Sequence, residues 1–342
     1  MDKPNLTIIA PWLSKGDWTG LIFSSLIKSA NEENISFNVI IGDRVDNNKK
    51  NKKNKAFDFL YPKLRVVEKM VSLANKNLLA DRIVIIDSSF VNMKAIRYIA
   101  GSEAFISCFV NGGFFQKFDL DRQTIFGYDK ELSKFEEGHY ALMDKIFLPS
   151  KYALNIFLKA YPLLKNKSFF NYYFLKFDPV KITKFSDKFG YLYPSRQVFQ
   201  KGYDVILDLC KKNVNIDSII GLKNIEFRKK ISRYKVVLIP SRADLFGFCA
   251  LEAILEGTIP VVPKGFSYDE LINIPSNFKL TLPINKNTKK EIISIIKAIE
   301  KLSESEYNRI IFEARNTIKK RINDKNHGFL SIIESVFYEK KK

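Results

Sequence analysis

Asp244 and Glu252 bracket a Phe246-Gly247-Phe248 triplet within KVVLIPSRADLFGFCALEAILEGTIPVV, the run from Lys235 to Val262. The order of residue types predicts a strand, a glycine-containing loop, a helix closed by Gly257 and a second strand. That arrangement suits a phosphate. A glycine between two aromatics lets backbone approach a ligand closely, and the helix that follows offers unpaired N–H groups and the positive end of its dipole to an anion. Glu252, expected in the first helical turn, would also stabilise that dipole, and Asp244 reads equally as a plain loop acid.

The elements that must position these residues follow a simple grammar. Short β-branched runs (LTIIAP, SFNVIIGD, RIVIID, AFISCFV, KIFLPS) alternate with stretches of helical spacing such as GLIFSSLIKSANEE. Alternation of this kind predicts α/β architecture with parallel strands and crossover helices. It returns after about residue 185 with FGYLYPS, a helix from Gly202 to Lys212, KVVLIPS, a helix around Leu251–Glu256, and TIPVVP, so two Rossmann-like halves are expected. Pro149-Ser150 and Pro240-Ser241 each close a strand, with the serine placed to start the next turn. Between the halves, SFFNYYFLKFDP (Ser168–Pro179) lacks a clear period and reads as the interdomain connection. The expected domains are 1–170, 171–322 and a terminal helical segment 323–342.

The whole assembly of Pro240-Ser241, Asp244, Phe246-Gly247, Leu251-Glu252, Gly257 and Pro260-Val261-Val262 resembles the donor-site signature of the large retaining GT-B glycosyltransferase family 4, which includes many mannosyl- and glucosyltransferases. FGYLYPSRQVFQKGYDVILDLC resembles the strand, Arg, loop, Lys-Gly and helix that open the family's donor domain, with Arg196 and Lys201 at the matching positions. The resemblance implies two Rossmann-like domains facing across a cleft, with the terminal helix returning to the first. It implies that Glu252 holds ribose hydroxyls, that Asp244 holds hydroxyls of the transferred sugar, and that Phe246, Gly247 and Phe248 line the nucleotide-sugar site. Arg196 and Lys201 would then neutralise charge growing on the leaving diphosphate without a metal. Read from charge alone, they are two surface cations of a basic protein.

IIAPWLSKGDWTGLIFSSLI resembles the family's first strand, loop and helix, placing Gly16 where backbone would approach the donor, with Trp12 and Trp18 beside it. Several departures stand out. Asp244 occupies a position usually held by Glu, and Ser195 one usually held by Gly. Only a few residues separate the helix ending near Lys212 from the run IIGLKNIEFRKKISRYKVVLIPS, where family members usually carry another strand–helix unit, so the second domain is expected to be trimmed. Asn111 follows AFISCFV where many members have His. Asn111 and His139 are the acceptor-side candidates, and a lone histidine is more often a packing or surface residue.

Length and composition frame this reading. At roughly 150 residues per domain, 342 residues suit two domains. Lys and Arg number 56 against 37 Asp and Glu, a formal charge of +19 that favours polyanions or phosphorylated ligands. Three cysteines, Cys108, Cys210 and Cys249, with only His139 and His327 besides, support neither a disulfide framework nor a structural zinc site. No apolar run approaches the roughly 18 residues that span a bilayer, and no secretory signal is visible, so a cytoplasmic protein is expected.

The leading expectation is a metal-independent transferase taking a hexose from a UDP- or GDP-sugar to an acceptor hydroxyl, with no further cofactor. The acceptor is left open among glycan, lipid, protein and DNA. The alternative is a basic nucleic-acid- or membrane-surface-binding protein of GT-B ancestry, including a glycosyltransferase acting on DNA. Its contact would be the segment NNKKNKKNK, carrying Lys49, Lys50, Lys52, Lys53 and Lys55, at the inner membrane face or on nucleic acid. Epimerases and inverting transferases share the architecture, and the Asp244/Glu252 pair favours the retaining transferase over them.

Overall fold

Leu6–Ala10 (LTIIA) is buried along its whole length, as a strand covered on both faces by helices must be, and forms β1. The computed structural model describes residues 3–11, 18–42, 55–87, 91–116, 130–173, 183–219, 222, 224–322, 324 and 327–338. Trp12 and Gly16, and Lys49, Lys50, Lys52 and Lys53, lie outside these residues, as does the side chain of Lys55. The chain divides into two units, Met1–Lys176 with Lys325–Lys342, and Phe177–Asp324.

In the first unit β1 is joined by β2 (Phe37–Ile41), β3 (Arg82–Ile86), β4 (Phe105–Phe109), β5 (Lys145–Leu148) and β6 (Ser168–Phe170). All pair parallel, in the order β2-β1-β3-β4-β5-β6. The crossovers include α1 (Trp18–Glu32), α2 (Lys55–Asn75), α3 (Met93–Ala100), α4 (Lys130–Ala141) and α5 (Lys151–Ala160). Ser150 caps α5 as its position suggests, accepting from the Ala153 N–H at 3.0 Å. Ser168–Phe170, expected to be connection, is instead the sixth strand. Tyr172 and Tyr173 beyond it are also buried, which carries the first unit past residue 170. The terminal helix Phe329–Tyr338 packs against α1, and Arg82 of β3 donates to its Val336 carbonyl at 2.6 Å.

The second unit contains β7 (Phe189–Tyr193), α6 (Tyr203–Cys210), β8 (Ile216–Ser218), α7 (Asn224–Ile231), β9 (Tyr234–Leu238), α8 (Phe248–Leu255), β10 (Ile259–Pro263), α9 (Tyr268–Leu271), β11 (Lys279–Leu280), α10 (Thr288–Glu300) and α11 (Glu304–Ile322). Its parallel sheet runs β11-β10-β9-β7-β8. One core cluster joins Tyr193, Val236, Leu238 and Val261 of the sheet to Leu209, Ile292 and Tyr307 of the helices. The trimmed stretch keeps a strand–helix unit in short form, a three-residue β8 and an eight-residue α7. A buried ion pair between Arg228 of α7 and Glu256, just after α8, fastens that short unit to the rest.

The strand order positions the site. From β7 the chain moves outward to β8 on one side, and from β9 onward it moves to the other. The carboxyl ends of β7 and β9 are therefore a topological switch point, from which the loops that follow them leave the sheet. Among the described residues no helix is long and apolar enough to cross a membrane.

Candidate functional site

Two loops meet at that switch point, one following β7 and carrying Arg196 and Lys201, the other following β9 and carrying Asp244. The first is folded back by Tyr193, whose hydroxyl donates to the Arg196 carbonyl at 2.6 Å. It ends in a single tight turn, Phe199–Lys201, closed by Gly202 in the left-handed region at φ 72°. A Cβ there would stand 2.0 Å from the Pro240 carbonyl oxygen, so only glycine allows the two loops to lie this close.

Arg242 locks them together. Its backbone N–H donates to the Gln200 carbonyl at 2.8 Å and its Nη1 to the Phe199 carbonyl at 2.5 Å. The guanidinium lies 3.7 Å from the centre of the Phe199 ring and makes a two-pronged contact with Asp204, at 2.7 and 2.8 Å. Ser241, placed by the sequence to start the next turn, donates to the Ala243 carbonyl at 2.8 Å. The loop makes a second bend before α8 begins, and the residue that caps α8 is Gly247.

The result brings Lys201 and Asp244, 43 positions apart in the chain, to 3.1 Å between Nζ and Oδ2. The same Oδ2 accepts from the Tyr268 hydroxyl at 2.9 Å, and Oδ1 accepts from the Gly247 N–H at 2.9 Å. The Asp244 side chain is 17% exposed. Burial alone would raise its pKa, but Lys201, Tyr268 and the Gly247 N–H together outweigh burial and hold it below the usual carboxylate value. Burial and the Asp244 charge push the Tyr268 hydroxyl far above its ordinary value, so it remains a donor.

Gly247, at φ 76°, opens α8, and a Cβ on it would fall 2.4 Å from the Tyr268 ring. Phe246 is 1% exposed, with its ring 4.7 Å from that of Phe248, so its side chain supports the loop from inside. Glu252 is the fifth residue of α8, beyond the first turn where the sequence reading placed it, and is 4% exposed. Its charge, after burial itself, helps push the Cys249 thiol up to about 12, which disfavours the thiolate. Ser195 hydrogen-bonds this thiol and so ties the β7 loop to α8. Arg196 is exposed on the same loop.

In the first unit, Asn111 lies just beyond the carboxyl end of β4 and is partly exposed. His139 is buried in the last turn of α4, its ring 5.8 Å from Tyr140 and 6.4 Å from Phe135, a packing position. One turn earlier, Glu136 accepts from the Phe114 N–H at 2.8 Å and from the Tyr161 hydroxyl at 2.7 Å. This carboxylate fixes the backbone that follows Asn111. Among the described residues, no group of three or more His, Cys, Asp or Glu could hold a metal ion.

Arg242, Asp204, Tyr268 and Glu136 escape a reading of the sequence. Arg242 follows Pro-Ser directly and Asp204 follows Lys-Gly by two positions, but pairing across 38 residues leaves no local signal.

No protein-family model and no curated protein sequence matches this chain. Solved structures do. Sucrose-phosphate synthase from Thermosynechococcus elongatus superimposes with a TM-score of 0.71 at 11% identity, covering 98% of this chain and 98% of that one. HepE from Anabaena, solved in complex with UDP-glucose, gives a TM-score of 0.64 at 15% identity over 97% of this chain and 98% of its own. S. aureus TarM, solved with UDP, gives 0.58 at 15% identity over 80% of this chain, and the match spans 59% of TarM's length. Identities this low establish the fold alone, and the fold is GT-B: two parallel-sheet α/β units like those of these glycosyltransferases.

Proposed function

We propose that this protein is a nucleotide-sugar-dependent glycosyltransferase of the retaining GT-B, family 4 type. It moves a hexose from a UDP- or GDP-sugar to an acceptor hydroxyl without a metal. The observation that carries the reading is the position of the Lys201–Asp244 pair, at the β7/β9 switch point and directly before α8. Switch points of this kind are where open α/β sheets bind their ligands. Lys201, Arg196 on the same loop and the first N–H groups of α8 supply positive charge for a diphosphate. Glu252, deeper in α8, is the candidate for the ribose hydroxyls.

In the proposed reaction the bond from the anomeric carbon to the β-phosphate oxygen breaks while the acceptor oxygen bonds to that carbon on the same face. The acceptor proton passes to the departing diphosphate. Charge grows on the diphosphate as the bond lengthens, and donors already held in place stabilise it more than they stabilise the bound sugar nucleotide. The two clamped loops provide that preorganisation. Incubation with UDP- and GDP-hexoses should release the nucleoside diphosphate, faster with an added acceptor, and proton NMR of the product should show the donor's anomeric configuration. Inverted product would refute retention. No release above a Lys201→Ala control would refute the transferase reading.

A further inference from the structure

Asp244 Oδ2 serves two donors at once, the Lys201 ammonium at 3.1 Å and the Tyr268 hydroxyl at 2.9 Å. Lys201 cannot turn its full charge to a diphosphate without loosening from Asp244. Removing a charged partner from a largely buried carboxylate is costly, because the remaining charge has little water to replace it. Tyr268 offsets that cost. It is the first residue of α9, is 1% exposed, and its ring fills the space that Gly247 leaves by having no side chain. Its ring is packed on both counts, which holds the hydroxyl beside Asp244 independently of Lys201.

Resting on the diphosphate reading above, we propose that Tyr268 is a positioning residue: its hydroxyl holds the Asp244 carboxylate satisfied while Lys201 turns to a bound diphosphate. Asp244 and Tyr268 together form a cradle that the lysine leaves and re-enters with each ligand. The short aspartate side chain suits this role, since it keeps the carboxylate within reach of Gly247, Tyr268 and Lys201 at once.

The test is calorimetric titration of UDP, GDP and ADP into wild type, Tyr268→Phe, Lys201→Ala and the double variant. Phenylalanine keeps the buried ring and removes only the hydroxyl. For whichever nucleotide binds, Tyr268→Phe should weaken affinity roughly tenfold, the scale of a hydrogen bond to a charged group. The double variant should bind no more weakly than Lys201→Ala, because with no ammonium to release the hydroxyl has nothing to offset. Wild-type affinity in Tyr268→Phe would overturn the proposal, as would a tenfold loss persisting in the Lys201→Ala background, which would mark a merely structural tyrosine. A second readout needs no ligand: carbon NMR of the Asp244 carboxyl should show its titration moving upward in Tyr268→Phe, and an unmoved titration would overturn the proposal. Wild type that takes up none of the three nucleotides would instead overturn the diphosphate reading, and this inference with it.

Discussion

Arg242 meets Asp204 edge to edge, with Nη1 2.7 Å from Oδ1 and Nη2 2.8 Å from Oδ2, and this fork joins the loop after β9 to the start of α6. The guanidinium is nearly buried while Asp204 is half exposed, so the charge attraction is partly screened. Its remaining contacts, to the Phe199 carbonyl and ring, are to the loop that carries Lys201.

Loss of that fork should loosen the second unit. Arg242→Ala is expected to destabilise it by about 2 kcal/mol, and Arg242→Lys to recover less than half, because a lysine can neither fork nor stack. Urea denaturation of the three proteins measures this. Equal midpoints would show that the clamp contributes nothing.

Gly202 is constrained twice, by its positive φ and by the Pro240 carbonyl. Gly202→Ala forces the two loops apart and should cost more than about 2 kcal/mol, since the clash is with backbone that has nowhere to yield. Gly190 offers the control: it too has positive φ, but a Cβ there meets nothing within 4 Å. Gly190→Ala should cost only the conformational strain, and equal losses in the two denaturation curves would contradict the close-approach account.

Lys188 gives a pH signature. Burial, aided by nearby Arg315, lowers its ammonium from 10.5 to about 8, while its Nζ donates to the Ser232 carbonyl at 2.5 Å. Between these two values the unfolded chain holds a proton that the folded chain has lost, so stability rises with pH through the window. Below the window both states are charged, and burying the charge costs about 3 kcal/mol, a cost absent above it. Lys188→Met should remove this slope, so that wild type gains on the variant as pH rises from about 8 to about 10.5. Parallel stability profiles in urea titrations would contradict it.

Arg196 and Lys201 should act on turnover. Arg196→Ala and Lys201→Ala are each expected to lower kcat by roughly 10- to 100-fold, with smaller changes in KM, because the charge they meet is greatest in the transition state. Steady-state kinetics with the preferred donor decide it, and a pure KM effect would reassign both to ground-state binding.

The legible parts of this molecule were those with local cause. Five-residue apolar strands, the cap at Ser150 and the glycine before α8 all follow from neighbours in sequence. Ser168–Phe170 was not legible, because three residues carry no period and the strand exists only by pairing with β5. Glu252 falls a turn later in the helix than its sequence suggests, because Gly247 caps α8 and the helix starts at Phe248 rather than near Leu251. The contacts of Ser241 were only half legible, because one of its two acceptors, the Gln200 carbonyl, lies 41 positions away. The chemistry-bearing residue types were visible, whereas Tyr268 and Arg242, which hold them in place, act through contacts that only the assembled sheet creates.

The most direct test of a nucleotide-sugar site at this switch point is thermal unfolding of wild type and Glu252→Ala with UDP, GDP, ADP, TDP and their sugar conjugates, after circular dichroism confirms that both fold. A ligand at a hundredfold excess over its Kd adds about 2.7 kcal/mol of stability, enough to raise Tm by several degrees. The account predicts a rise for the diphosphates of one base in wild type and its loss in Glu252→Ala. No rise with any of them, or the same rise in both proteins, would contradict it.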